Sequence, residues 1–285
     1  MTDPVLTKVS PLLQRLIHQL TTLDELTDEG VHDLRVLCKR LRAALRLYQP
    51  VCRKADLRRV DEPLRKTARA FAARRDTHVQ LKTLKRFLKH YPDLKPLTEN
   101  FKTRLQAERE TLPPPDLKLA AQWLSEALRL WQRLLQQPDG QFIVTGLEYT
   151  YEKAGRFGDR ALQSDRDKPY HKWRKWSKFW LYQQELLLRQ KGSLSQEYRE
   201  KLADLGSDLG RFHDLYLLQA SILNYSSSFS KQDDVTLLLQ RLAASKRSYR
   251  RAFAAEFRPL FGLNFSELSL QIPSTWQQSA ASGRS

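Results

Sequence analysis

The sequence predicts an all-α protein of two related helical bundles with internal pseudo-twofold symmetry. Three observations predict it. Apolar residues recur at steps of three and four through most of the chain, and no period-two alternation lasts long enough to build a sheet. A basic frame, H-x-x-R-x-x-x-K, spans His32 to Lys39 and returns at His171 to Lys178, 139 residues later. Pro113-Pro114-Pro115 breaks the chain between the two copies. A long unit that occurs twice predicts a duplicated bundle.

In the first half, Pro4 to Leu26 reads as a helix with Leu6, Val9, Leu13, Leu16, Ile17 and Leu20 on one face. Asp28-Glu29-Gly30 breaks it and starts the next helix, Val31 to Tyr48, which Pro50 ends. On a wheel this second helix has two faces: Leu34, Leu37, Cys38, Leu41, Leu45 and Tyr48 gather on one, and His32, Arg35, Lys39, Arg42 and Arg46 on the other. Leu57 to Ala73 is a third helix. Arg75 to His90 is a fourth, stopped by Tyr91-Pro92. Its stripe of Arg75, His78, Lys82, Lys85, Arg86 and Lys89 covers about a third of the wheel. Asp93 to Thr111 is a polar fifth helix. The halves are placed at 1–112 and 116–262, followed by a polar, flexible tail at 263–285.

The second half opens at Asp116, a suitable cap for a helix to Gln137. Pro138-Asp139-Gly140 is a turn. Gln141 to Lys153 is read as helix despite β-branched Ile143, Val144 and Thr145, and Gly155 to Asp167 as a loop. The second copy of the basic helix runs from Tyr170 to Leu187; Trp173, Trp176 and Trp180, at steps of three and four, are expected in the core. A turn at Lys191-Gly192-Ser193, a helix from Ser195 to Leu209, a joint at Gly210 to Asp214 and a helix through Leu223 follow. After a polar linker from Asn224 to Lys231, a final helix from Asp233 to Phe257 bears Lys246, Arg247, Arg250 and Arg251.

The net charge is +17 and the pI about 10.0, which points to an anionic partner: nucleic acid, an inorganic polyanion or an acidic membrane surface. The charge is concentrated. Val31 to Lys89 holds 18 Lys and Arg against five Asp and Glu, so most of the excess lies in about a fifth of the chain. Two cysteines, Cys38 and Cys52, make no disulfide framework. The N-terminus lacks the basic start and apolar stretch of a signal peptide, and no run reaches the ~18 apolar residues of a membrane span. The chain is expected in the cytoplasm.

A charge run on one helix is usually a solvated face. Two clean stripes and a repeat argue for a binding surface instead. Steps of three or four residues advance ~5 to 6 Å along a helix, a pitch that can follow a flexible row of phosphates. Arg offers forked contacts to phosphate oxygens and Lys a point charge. Like charges at this spacing repel, so alanine at Arg35, Lys39 and Arg42 is expected to leave the fold intact. No phosphate-cradling glycine loop, nucleophile elbow, paired-carboxylate motif or metal-ligand spacing occurs. Asp33, Asp76 and Asp214 read as pairing or capping residues. His32 and His171, taken alone, read as polar helix-start residues.

VHDLRVLCKRLRAALRLY closely resembles the signature helix of CHAD domains, the conserved-histidine α-helical domains. The second H-x-x-R-x-x-x-K copy fits the same family, as do the Arg75-Asp76 and His213-Asp214 pairs at nearly matching offsets, so the resemblance runs from about Leu6 to about Phe261. It implies a non-catalytic module that binds inorganic polyphosphate and accompanies polyphosphate granules, without a cofactor or metal. On this reading His32, Arg35, Lys39, Arg42 and Arg46 form one wall and Arg75, Lys82, Lys85, Arg86 and Lys89 another. His171, Arg174, Lys175 and Lys178 face them. The histidines become phosphate contacts or orienting residues. In the second copy Phe179, Leu181 and Glu185 stand where Arg40, Arg42 and Arg46 stand in the first, so that ridge is shorter. The rival expectations are a nucleic-acid-binding helical protein and a phosphate-polymer hydrolase.

Overall fold

The computed structural model describes residues 3–137, 140, 142–187 and 196–269. Among these there are eleven α-helices, three short 3₁₀ turns and no strand. The helices are α1 (Pro4–Thr22), α2 (Asp28–Leu45), α3 (Lys54–Ala70), α4 (Ala72–His90), α5 (Lys95–Thr111), α6 (Leu117–Leu134), α7 (Phe142–Leu162), α8 (Asp167–Leu187), α9 (Gln196–Asn224), α10 (Gln232–Phe261) and α11 (Phe265–Ser269). The expected turn at Lys191-Gly192-Ser193, the Pro138-Asp139 part of the earlier turn and the tail beyond 269 lie outside the described residues.

Several helices begin where the sequence supplies a cap. The Thr27 hydroxyl accepts from the Gly30 N–H at 3.1 Å, and the Asp116 carboxylate from the Leu119 N–H at 2.9 Å. Asp3 has a wider role. Its buried carboxylate accepts from the Val5 and Leu6 N–H groups, the Tyr48 hydroxyl and the Gln137 N–H. One side chain therefore ties the start of α1 to the end of the α2 segment and to the chain leaving α6. Burial and the Asp3 charge push the Tyr48 phenol well above its usual pKa.

Two expected breaks are absent. The stretch from Gly155 to Leu162, read as loop, continues α7. Gly158 is there for close approach: a Cβ would stand 2.4 Å from the Phe257 ring and 3.0 Å from Trp173. The joint expected at Gly210 to Asp214 lies inside α9, where Leu209, Phe212 and Leu215 are all buried. At the C-terminal end, α10 runs on to Phe261. The first part of the expected tail forms α11, which buries Phe265 and Leu268 against α7.

Shifted by the same 139 residues, α1 falls on α7, α2 on α8, α3 with α4 on α9, and α5 on α10. The counterpart of Phe71, where the chain turns between α3 and α4, is Gly210 in the unbroken α9. α6 follows the proline run and packs on α1 and α3. The cores cross the midpoint of the chain. The larger joins residues of α1, α2, α3 and α6 to α7, α8 and α9; the smaller sets Leu84, Phe87 and Phe101 against Leu218, Ile222 and Leu238. At the centre, α2 packs directly against α8.

Candidate anion-binding cleft

The apolar face of α2 buries Leu34, Cys38, Leu41 and Leu45, which turns the opposite ridge outward beside α8. An open cleft of about 510 Å³ results, lined by Arg35, Lys39 and Arg42 of α2, Arg46 in the 3₁₀ turn that follows it, Asp61, Arg65 and Arg69 of α3, and His171 and Lys175 of α8. The two copies of the basic frame thus share one surface. Burial pulls the Lys39 ammonium down to about pKa 8, reinforced by Arg174, Arg35 and Lys178. Burial also lowers Lys175, with Arg46 and Arg42 adding to the effect.

The cleft arginines Arg35, Arg42 and Arg46 are each held by the protein. Arg35 donates to the Ala68 carbonyl at 2.9 Å and to Asp76 Oδ1 at 3.3 Å, so its guanidinium closes the bend between α3 and α4. The carbonyl belongs to the last turn of α3, where a cation is favourable. Arg42 grips Asp61 with Nε to Oδ1 at 2.7 Å and Nη2 to Oδ2 at 3.3 Å; Arg46 adds a bond to Oδ2 at 2.8 Å. Burial would raise the Asp61 carboxyl, but these guanidinium contacts hold it below the usual range. Arg35 and Arg42 each pair with another helix, which argues against the expectation that alanine could replace the stripe without effect on folding.

On α8, Arg174 and Lys178 turn towards α9. A Cβ on Gly206 would meet Lys178 Nζ at 3.1 Å, and one on Gly210 would meet Arg174 Nε at 3.7 Å. Glycine costs a helix about 1 kcal/mol relative to alanine; here the two glycines make the track on which the two cations lie. Arg174 Nε is buried with no hydrogen-bond partner among the described residues, as is Arg46 Nε.

The CHAD domain family model matches residues 11–223 of this chain. The chain belongs to the CHAD domain family. Among solved structures it is similar to PptA from Streptomyces chartreusis, at 16% identity and a TM-score of 0.65 over 92% of this chain and 99% of that one. It is also similar to the CHAD domain from the plant Ricinus communis, at 20% identity and a TM-score of 0.52 over 91% of this chain and 86% of that one. No curated protein matches it.

The remaining expected site residues of this CHAD domain do not all reach the cleft. Exposed His32 stands beside it, close enough to Arg75, Lys39 and Arg35 for their charges, after burial, to lower its pKa. Arg75 is half-buried near Asp76 and Asp214. Arg86 approaches Asp214 at 3.9 Å and lines a separate cavity of about 350 Å³ with His90 and Tyr91. Lys82, Lys85 and Lys89 are exposed along α4 and do not line the cleft. The wall expected from α4 is therefore divided: its N-terminal end borders the cleft and its C-terminal end faces elsewhere. Among the cations of α10, Lys246 and Arg250 bind Asp167 at 2.7 and 2.8 Å and anchor the start of α8.

Sequence reasoning missed Asp61, Arg65, Arg69, Gly206, Gly210 and His213 as parts of this CHAD site. The His213 ring lies 4.5 Å from that of His171. Burial, then Arg174, His171 and Lys39, push it down to about pKa 3, and burial with Arg174 and Lys175 lowers His171. Both shifts favour the neutral imidazole. Burial raises Asp76 and Asp214 in spite of the cations around them. Among the described residues, no group of three or more His, Cys, Asp and Glu could hold a metal ion, and no helix is long and apolar enough to cross a membrane. Burial pushes the Cys38 thiol up to about 12, so it is not a nucleophile near neutral pH.

Proposed function

We propose that this CHAD domain binds inorganic polyphosphate without chemical conversion, in the cleft between α2 and α8. The observation that carries the reading is convergence: Arg35, Lys39, Arg42 and Arg46 from one copy of the frame and His171 and Lys175 from the other line one open cleft. Cations that suppress one another's charge are relieved by a polyanion threaded among them, and each contact becomes a charge-assisted hydrogen bond. A bare phosphate chain is thin enough to touch both helices, whereas duplex DNA is a wide rod that meets only the outer charges. The family membership supports the same ligand. In this reading the protein acts in the cytoplasm, at polyphosphate granules.

The test is a titration of the full chain with long-chain polyphosphate at several salt concentrations, with released phosphate assayed after incubation with a divalent metal. Saturable binding that falls steeply with salt, weakens in Lys39→Met and Lys175→Gln, and releases no phosphate is expected. Binding indifferent to both substitutions would overturn the site. Phosphate release would make the protein a hydrolase.

A further inference from the structure

The three tryptophans expected in the core do not share one environment. Trp173 and Trp180 are fully buried, but Trp176 is partly exposed. Its ring stands 5.8 Å from Tyr149 and 6.2 Å from Phe157, stacked on the latter with 22° between planes. Tyr149 and Phe157 lie on α7 at positions i and i+8, and both are partly exposed. Cations stand over these rings. Lys153 Nζ is 5.4 Å from the Tyr149 centroid, and Lys172 Nζ and the Arg160 guanidinium are 5.8 and 5.9 Å from Phe157. The strip joins the cleft: Phe179 packs against Trp176 at 5.6 Å and lies under both Lys175 and Arg46.

We propose that this α7–α8 strip is a stacking platform for single-stranded nucleic acid, entered from the Lys175 end of the cleft. Polyphosphate has no π-face and gains nothing from rings. A duplex hides its base faces. A single strand offers phosphates and bases in alternation, and the strip offers cations and rings in alternation, the combination that binds single strands without sequence preference. The inference does not rest on the polyphosphate reading; the two ligands would meet only at Lys175 and Arg46.

The experiment compares three labelled ligands on the full chain at one salt concentration: an oligothymidylate of about a dozen residues, an abasic oligomer of equal length, and polyphosphate. The oligothymidylate is expected to bind about tenfold tighter than the abasic strand. Trp176→Leu, which keeps apolar packing between α7 and α8, is expected to erase that margin and leave polyphosphate affinity unchanged; Trp176→Phe is expected to restore most of it. Equal binding of the base-bearing and abasic strands by the wild type overturns the proposal, and so does a folded Trp176→Leu protein that retains the margin. A folded Trp176→Leu protein that loses polyphosphate as well overturns it too, because Trp176 would then shape the cleft. Failure of polyphosphate alone to bind would reject the proposed function and leave the platform standing.

Discussion

Lys39 is where folding and binding oppose each other most directly. An ammonium group of this kind ordinarily loses its proton near 10.5; in the fold Lys39 does so at about 8, through burial and the nearby Arg174, Arg35 and Lys178. Each pH unit of that displacement corresponds to about 1.4 kcal/mol, so charged Lys39 costs the folded state roughly 3 kcal/mol. The sign follows from the lowered pKa. The cost is present in full below about pH 8, declines as the folded protein releases its proton, and is gone near 10.5, where the unfolded chain releases it as well. Lys39→Met keeps the length of the side chain and removes the charge. The variant should be more stable than wild type by up to about 3 kcal/mol near pH 7, measured by urea unfolding, and the difference should shrink towards pH 10. The same variant should bind polyphosphate about tenfold more weakly, through the loss of one charge-assisted contact. A variant less stable than wild type at pH 7 would refute the reasoning, because Lys39 would then be well paired within the fold.

Three further outcomes follow from the same geometry. Polyphosphate should raise the suppressed pKa values of Lys39, His171 and His213, so calorimetry in buffers of different ionisation enthalpy should show net proton uptake, with affinity falling as pH rises through about 8; affinity that climbs over that range would contradict it. Asp61→Asn should destabilise the fold by about 3 kcal/mol, since it leaves Arg42 and Arg46 buried without their counter-charge. In the wild type the contribution of this three-residue cluster is present above the ordinary carboxylate pKa and lost as pH falls through the lowered folded value, which urea midpoints at pH 7 and pH 3 would reveal. Gly206→Ala should hold or raise stability, because alanine favours helix by about 1 kcal/mol, yet weaken polyphosphate binding by displacing Lys178, whose Nζ would lie 3.1 Å from the new Cβ. Unchanged affinity in a folded Gly206→Ala protein would show that Lys178 takes no part.

Helices are local, and their amphipathic period made most of them legible in the sequence. The ridge of α2 was legible for the same reason: a stripe at helical pitch needs no tertiary information to be seen. The unread parts depend on which faces meet. Asp61 sits in α3 among other charged residues, and nothing local marks it as the partner of Arg42 and Arg46. Glycine was misread at Gly155, Gly158 and Gly210 because a missing side chain serves either a turn or a close approach, and spacing alone does not separate the two. The α4 stripe was clean on a wheel yet is divided in space, since its N-terminal end borders α2 while Leu84, Phe87 and Leu88 dock the rest on a second core. Trp176 has the spacing of its buried neighbours and differs only in lying at the outer edge of the α7–α8 pair, where Tyr149 and Phe157 flank it.

Whether a phosphate chain runs between the two copies of the basic frame is tested most directly by a crystal structure of the full chain with long-chain polyphosphate. Phosphate density in contact with Arg35, Lys39 and Arg42 on one side and Lys175 on the other is the predicted result. Phosphates lying instead along Lys82, Lys85 and Lys89 on the outside of α4, with the cleft empty, would contradict it.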